Sequence, residues 1–279
     1  LLNLLFVIRF SMGVAGVALA TSISQYLSAA LIAICLMRSE SCYRLHWDEL
    51  ALHKDKALPI IRIGLPAGLQ SSIFAISNVV IQSSINSFGS IAMAGSAAAA
   101  NIEGFVYVSM NSVAQASLSF ASQNIGARRY ERISKISRTC LLLAALFGLV
   151  LGNGVYLLHD TFLRFYSPDP AVIEAGALRL SVICTTYFLC GLMDTLACIL
   201  RAMGKSLLPM VVTIIGACGL RVLWIYTVFP LDRTFFTLFL SYPITWGVTA
   251  AVHAVCYFFT KRTMLRRAQA SAPSEASST

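Results

Sequence analysis

Two carboxylates interrupt otherwise apolar stretches of the sequence, Glu103 and Asp194. A charged side chain at the centre of a bilayer helix costs about 2.5–3.5 kcal/mol on insertion scales, so it needs a partner or a use. The use open to a carboxylate there is to take up and release a proton or Na⁺. Glu103 stands among Asn101, Tyr107, Asn111 and Gln115. On a helix of about 3.6 residues per turn, positions four apart drift by only about 40°, so these side chains form one polar stripe suited to face a cavity. The competing reading puts Glu103 near the external membrane face, with its carboxylate among the headgroups. Asp194 lies deeper, in Leu192-Met193-Asp194-Thr195. Its competing readings are an ion pair with Arg221 and a structural hydrogen bond.

Neutral polar residues extend the pattern. Asn78, Gln82 and Asn86 recur at four-residue spacing and suit either a substrate path or polar contacts between helices. Arg221 is expected to snorkel towards the cytoplasmic membrane surface, because its long stem lets the guanidinium reach water from within a span. Pro66 and Pro243 mark places where a helix can bend. His159 and His253 have no ligand partner at useful spacing, so no metal site is expected and both are read as structural.

These residues must be held by membrane helices. The 279 residues are 57% hydrophobic and 12% charged, with a mean hydropathy of +0.75, well beyond the composition of soluble domains. Apolar segments run from Val14 to Met37, Ile63 to Phe88, Ile91 to Ala121, Thr139 to Leu158, Val172 to Leu200, Leu207 to Phe229 and Phe235 to Thr260. Each is long enough to cross a bilayer. They lack the period-two alternation of barrel strands, so the expected class is an all-α polytopic membrane protein with seven transmembrane helices. Leu1–Ile8 reads as the tail of a further span, and the opening of the chain inside an apolar stretch, without a signal-peptide flank, reads as a fragment.

The net charge of +9 does not indicate nucleic acid, because the basic residues lie between apolar runs and not on one surface interleaved with aromatics. Arg38, Arg44, Lys54, Lys56 and Arg62 share one connection; Arg128, Arg129, Arg132, Lys135 and Arg138 share another; Arg201 and Lys205 open a third; Lys261, Arg262, Arg266 and Arg267 open the tail. The connections between hold Arg9, Arg164 and Arg233 with Asp160, Asp169 and Asp232. Basic loops stay in the cytoplasm, which puts the carboxyl terminus there too, in a multi-pass plasma-membrane protein. The eight cysteines form no Cys-x-x-Cys pair, and those in or beside the apolar runs read as free, buried thiols. Residues 38–62 read as a linker, with Tyr43, Leu45, Trp47, Leu50 and Leu52 suggesting a helix on the membrane surface. The small, polar end of the tail reads as disordered.

Several segments resemble the multidrug and toxic compound extrusion (MATE) family, in the family's order. Gly64-Leu65-Pro66 resembles the Gly-x-Pro that opens the first helix of each lobe. Gln123-Asn124-Ile125-Gly126-Ala127 matches the Gln-Asn-x-Gly-Ala turn, the more specific of the motifs. Leu200-Arg201-Ala202-Met203-Gly204 resembles Leu-Arg-Gly-x-Gly, and Tyr242-Pro243-Ile244-Thr245-Trp246 the aromatic-proline segment of the last helix. Gly13 to Thr21 resembles the start of the last helix of the amino-terminal lobe. Gly16-Val17-Ala18 and Gly247-Val248-Thr249 form an internal echo of the kind lobe duplication leaves.

The resemblance implies one MATE-type six-helix lobe with the helix before it. Residues 1–37 would end the amino-terminal lobe, 38–62 would link, 63–260 would form the carboxyl-terminal lobe, and 261–279 would be a basic, then disordered tail. It implies an antiporter, not an enzyme, exporting organic cations or drug-like amphipaths in exchange for H⁺ or Na⁺, with no cofactor beyond that ion. The partners implied are the lipid bilayer, a small organic substrate and the missing amino-terminal lobe. Some members carry a cation-site aspartate on helix ten, further from the arginine motif and nearer Cys190 than Asp194 is. Where one branch has a helix-seven glutamate, this chain has Phe74 and Ala75. The rivals are a lipid-linked saccharide flippase of the same superfamily, which many cavity Arg and Lys residues would favour, and a truncated membrane protein with no transport of its own. The charge pattern predicts that a reporter fused after Arg267 is cytoplasmic and a cysteine engineered beside Asp169 is labelled from outside; labelling at Asp169 only from the cytoplasm would reverse the orientation.

Overall fold

The computed structural model describes residues 2–40, 44–46, 51 and 53–270. Among them are seven helices long and apolar enough to cross a membrane: α1 (Gly13–Arg38), α2 (Lys54–Asn86), α3 (Ser90–Gly126), α4 (Ile133–Leu157), α5 (Pro170–Ala202), α6 (Leu207–Thr227) and α7 (Phe235–Ala270). The chain is an all-helical, multi-pass membrane protein.

Two compact units divide it, Leu1–Ala57 and Leu58–Thr279. In the first, a helical turn over residues 2–9 precedes α1 and packs at Gly16, where an added Cβ would lie 2.8 Å from Met12 Cβ and 3.1 Å from Phe6 Cβ. Beyond α1 the Leu45 N–H donates to the Leu36 carbonyl at 3.1 Å. Tyr43, Trp47, Leu50 and Leu52, the other members of the expected surface helix, lie outside the described residues. Residues Lys54 to Arg62, expected in a linker, are already helical, so Gly64-Leu65-Pro66 sits inside α2 and not at its start.

In the second unit α5 is the central post, packed against α3, α4 and α7. Asp169 caps it, its Oδ1 accepting from Ala171 N at 2.9 Å with Pro170 at the first helical position. Hydrocarbon gives no hydrophobic drive between helices, so close backbone approach must supply the contact. Glycine supplies it here. An added Cβ at Gly95 would lie 2.5 Å from the Val172 carbonyl oxygen, and one at Gly148 2.5 Å from Phe188 Cα; Gly152 faces the Cys184 carbonyl and Gly216 the Thr249 hydroxyl.

Both loop-side motifs are helix ends. After α3, Arg129 N donates to Asn124 O at 2.8 Å and Arg128 N to Ile125 O at 3.0 Å, with Arg128 at φ 57°. After α5, Lys205 N donates to Leu200 O at 3.1 Å and Gly204 N to Arg201 O at 2.9 Å, with Gly204 at φ 76°. Each is a Schellman cap, whose left-handed residue lets two terminal carbonyls find donors. The first cap places an arginine where glycine is usual.

A π-helical turn, Ile214–Gly219, interrupts α6. Pro209, Thr213, Ala217, Arg221 and Ile225 are all buried at four-residue spacing. In a regular α-helix that spacing would drift about 160° over its length, and one extra residue in a turn takes back about 100°. The π turn therefore keeps the row on one face. All seven cysteines among the described residues are free; Cys35 is exposed, Cys256 half-buried and the others buried. Gly148→Ala and Gly152→Ala should each destabilise the protein by about 1–3 kcal/mol through overpacking, seen as a lower thermal midpoint in detergent, whereas Gly154→Ala, with nothing within 4 Å of its added Cβ, should not.

Candidate transport cavity

Within the second unit the backbone of α2 stands off from the other helices, and α2 meets them mainly through side chains. The space it encloses is a cavity of about 660 Å³, within the range that holds drug-sized ligands. Asn78 and Gln82 line it from α2, and Glu103, Tyr107, Asn111 and Gln115 from α3, with Asp194 opposite on α5. The α3 stripe from Glu103 to Gln115 thus faces a cavity, whereas Asn101 is exposed away from the wall, its Nδ2 donating to Ala97 O at 3.0 Å. Asn86 does not reach the wall: it is exposed at the end of α2, its Oδ1 accepting from Gln82 Nε2 at 3.0 Å.

Glu103 is 5% exposed and held in a fork. Arg179 Nε donates to its Oε1 and Nη2 to its Oε2, both at 2.8 Å, while Arg179 Nη1 donates to Ser96 Oγ at 2.6 Å. The competing reading, a glutamate reaching for headgroups, gives way to a buried ion pair between α3 and α5. Arg179 is the residue that sequence reasoning missed. Its signal was a basic residue inside the apolar run from Val172 to Leu200, attached to none of the loop clusters.

Asp194, by contrast, has no ion-pair partner and no side-chain hydrogen bond among the described residues, so neither the pair with Arg221 nor a structural hydrogen bond exists. Cys190 and Cys198, one turn to either side, line the cavity with it. Two turns further along α5, Arg201 reaches across the cavity, and its Nη2 donates to Gln70 Oε1 at 2.7 Å.

Arg221 does not snorkel. It is fully buried, about 20 Å along α6 from Leu207, because the π turn carries it to the packed face. Its guanidinium carbon lies 4.0 Å from the Tyr242 ring centroid, and its side-chain hydrogen bonds are to Asn78 Oδ1 and Thr245 Oγ1, each at 3.5 Å. Among the described residues no carboxylate lies within ion-pairing distance of it. Aromatic rings close this side, with Trp246 5.3 Å from Tyr187 and 5.4 Å from Tyr242 between centroids. Arg179 within its span and Arg201 at the end of α5 therefore line the cavity, and Arg221 backs it.

The remaining motif residues shape helices. Pro66 has no N–H for the Arg62 carbonyl four residues earlier, and Ser206 Oγ donates to that oxygen at 3.2 Å. Gly64 has open space around it. Gln123 Nε2 donates to Ser119 Oγ at 3.3 Å and Asn124 Nδ2 to Phe120 O at 2.9 Å, just before the cap over Gly126 and Ala127. Pro243 lies within α7 beside the cavity-lining Tyr242. His159 stacks on Tyr156 at 5.4 Å, its Nδ1 2.6 Å from the Tyr156 carbonyl, and His253 is fully buried.

A family model described as MatE matches residues 66–227. The chain belongs to the MatE family. It is 24% identical over 205 residues to the probable multidrug resistance protein NorM of Thermotoga maritima, covering 74% of this chain and 44% of that protein. It is 27% identical over 222 residues to the probable multidrug resistance protein YpnP of Bacillus subtilis, covering 78% and 48%. The chain spans about half the length of the curated relatives it matches. Among solved structures, a MOP superfamily transporter from Pyrococcus furiosus, described as having a binding pocket of reverse polarity, superposes with a TM-score of 0.85 at 18% identity, covering 95% of this chain and 60% of that one.

In this MatE chain the α3–α5 ion pair makes a definite energetic prediction. Removing one partner of a buried pair costs about 3–5 kcal/mol because it strands the other charge, whereas replacing both with apolar groups is often near neutral. Glu103→Gln and Arg179→Met should each lower the thermal midpoint sharply, and Glu103→Met with Arg179→Met together should lower it by less than the Arg179→Met change alone.

Proposed function

We propose that this chain forms the carboxyl-terminal lobe of a plasma-membrane antiporter that exports organic cations or drug-like amphipaths in exchange for H⁺ or Na⁺, with the basic loops and the carboxyl terminus in the cytoplasm. The observation that carries this reading is the contrast between the two carboxylates. Glu103 is committed to Arg179, while Asp194 lines the same cavity without a partner. A carboxylate that exchanges a cation must be free to lose it, and a permanent guanidinium on both oxygens removes that freedom. Asp194 is therefore the coupling group and Glu103 the anchor of the wall. Asn78, Gln82, Tyr107, Asn111 and Gln115 line the substrate path, and an amino-terminal lobe supplies the opposite wall.

The arginines give specific support to a second reading, a flippase of the same superfamily that moves an anionic lipid-linked saccharide. Against it stand the MatE match and a cavity sized for a drug rather than for a long polyprenyl chain.

In vesicles where an amino-terminal lobe completes the transporter, Asp194→Asn should reduce ion-driven ethidium efflux to background at normal membrane levels, because the amide cannot change charge in the cycle. Efflux at the parental rate under the same gradient would exclude Asp194 as the coupling site.

A further inference from the structure

Helix α4 has two unlike faces. Ser137, Cys140, Ala144, Gly148 and Gly152 are buried on one of them, where α4 packs against α3 and α5. Leu142, Leu146 and Val150 are each more than half exposed. At about 100° per residue these two sets of side chains centre roughly 180° apart, so the exposed set faces away from the lobe and into lipid.

Basic residues crown that outer face. Lys135 and Arg138 precede Leu142 by two turns and one turn, which puts them on its side of α4, and Arg132 stands one turn before Lys135. Arg128 and Arg129, in the cap that ends α3, bring two more. All five are exposed. The stretch 128–138 holds a single carboxylate, Glu131, and none of these six groups enters an ion pair among the described residues. The first turn of α4 has no acidic residue, so the positive end of the helix dipole adds to the same charge.

The heights match a lipid. From Arg138 to Val150 α4 rises about 18 Å, close to the roughly 15 Å of hydrocarbon in one leaflet. A headgroup at the basic residues therefore leaves its acyl chains lying on the apolar stripe. A second copy of the chain fits this face less well, because isologous pairing sets a patch against itself and would bring two groups of unpaired cations together. A neutral lipid would cover the stripe and leave the cations without counter-charge. An anionic lipid satisfies both halves.

We propose that the outer face of α4 is a binding site for an anionic phospholipid, its phosphate held by Arg132, Lys135 and Arg138 and its acyl chains lying along Leu142, Leu146 and Val150. No residue of α4 lines the transport cavity, and the site does not depend on the export reading. Under the orientation proposed above it opens to the cytoplasmic leaflet, where anionic lipids concentrate.

The test uses the purified, delipidated chain in detergent, titrated with phosphatidylglycerol or phosphatidylcholine of the same acyl chains, with bound lipid counted by native mass spectrometry. Each basic side chain near an anionic lipid surface is worth about fivefold in affinity. Arg132→Gln, Lys135→Gln and Arg138→Gln together should therefore weaken phosphatidylglycerol binding by at least about tenfold and leave phosphatidylcholine unchanged. Arg132→Lys with Arg138→Lys, which keeps the charge, should bind as the unmodified chain does, and so should a chain with Lys261→Gln, Arg262→Gln and Arg266→Gln at the end of α7. Leu142→Ser with Leu146→Ser should weaken both lipids. Equal affinity of the unmodified chain for the two lipids overturns the proposal. So does a preference that survives the three glutamines on α4, or one lost equally through those on α7, which marks diffuse charge in place of a site. Displacement of phosphatidylglycerol by an equal concentration of inorganic phosphate overturns it in favour of a free anion. A lipid-free dimer that Leu142→Ser with Leu146→Ser dissociates gives the face to a second copy and overturns it as well.

Discussion

The fork between Arg179 and Glu103 is the constraint on which the rest of the lobe depends. It joins residues 76 positions apart and fixes α3 against α5, the helix that α4 and α7 also use as their post. A buried charge pair is poor value as a source of stability, because desolvation consumes most of the attraction. Its worth lies in register. Two parallel N–H···O bonds with fixed fork geometry permit one rotation and one height of α3 on α5, and glycine contacts at Gly95, Gly148 and Gly152 admit little sliding around it. The polar stripe of α3 is thereby aimed at Asp194.

That arrangement separates two tasks among groups of similar chemistry. Of the two carboxylates, one is saturated by a permanent cation and holds the scaffold, and the other lines the cavity with no ion-pair partner among the described residues. Of the three arginines at the cavity, Arg179 is neutralised, Arg201 at the end of α5 is tethered through Gln70, and Arg221 is shielded by aromatic faces and weak oxygen contacts. The cavity's electrostatic character thus follows from which partners each charge has found, and not from the number of charges on its wall.

Much of the fold was legible in the sequence because bilayer physics is local. Seven apolar runs of spanning length, separated by alternating basic and mixed connections, leave few other arrangements, and the seven helices follow them closely. The α3 stripe was legible for the same reason, being a periodicity within one helix. The misses are all non-local or irregular. The partner of Glu103 lies on another helix with no spacing rule to connect them. The inward turn of Arg221 needs a π-helical segment, and reading α6 with a uniform 3.6-residue period sends that side chain towards the lipid. Asn86 has the right spacing on α2, but it lies at the helix end, where the cavity has closed. Gln70 was invisible as an Arg201 partner because the two stand 131 positions apart on different helices.

The stand-off of α2 has a mechanical consequence. Its polar ties to the lobe are Gln70 to Arg201, Asn78 to Arg221 and the Arg62 carbonyl to Ser206, all made by side chains rather than by close backbone packing. A typical hydrogen bond contributes only about 1 kcal/mol net, since water or a ligand atom can replace either partner. A glycine-packed helix pair must instead climb a steep repulsion to move by even an ångström. The lobe is therefore a stiff frame on three sides and a soft wall on the fourth. Displacement of that one helix repacks its own core residues Ile81 and Ile85 and leaves the glycine contacts of the frame in place.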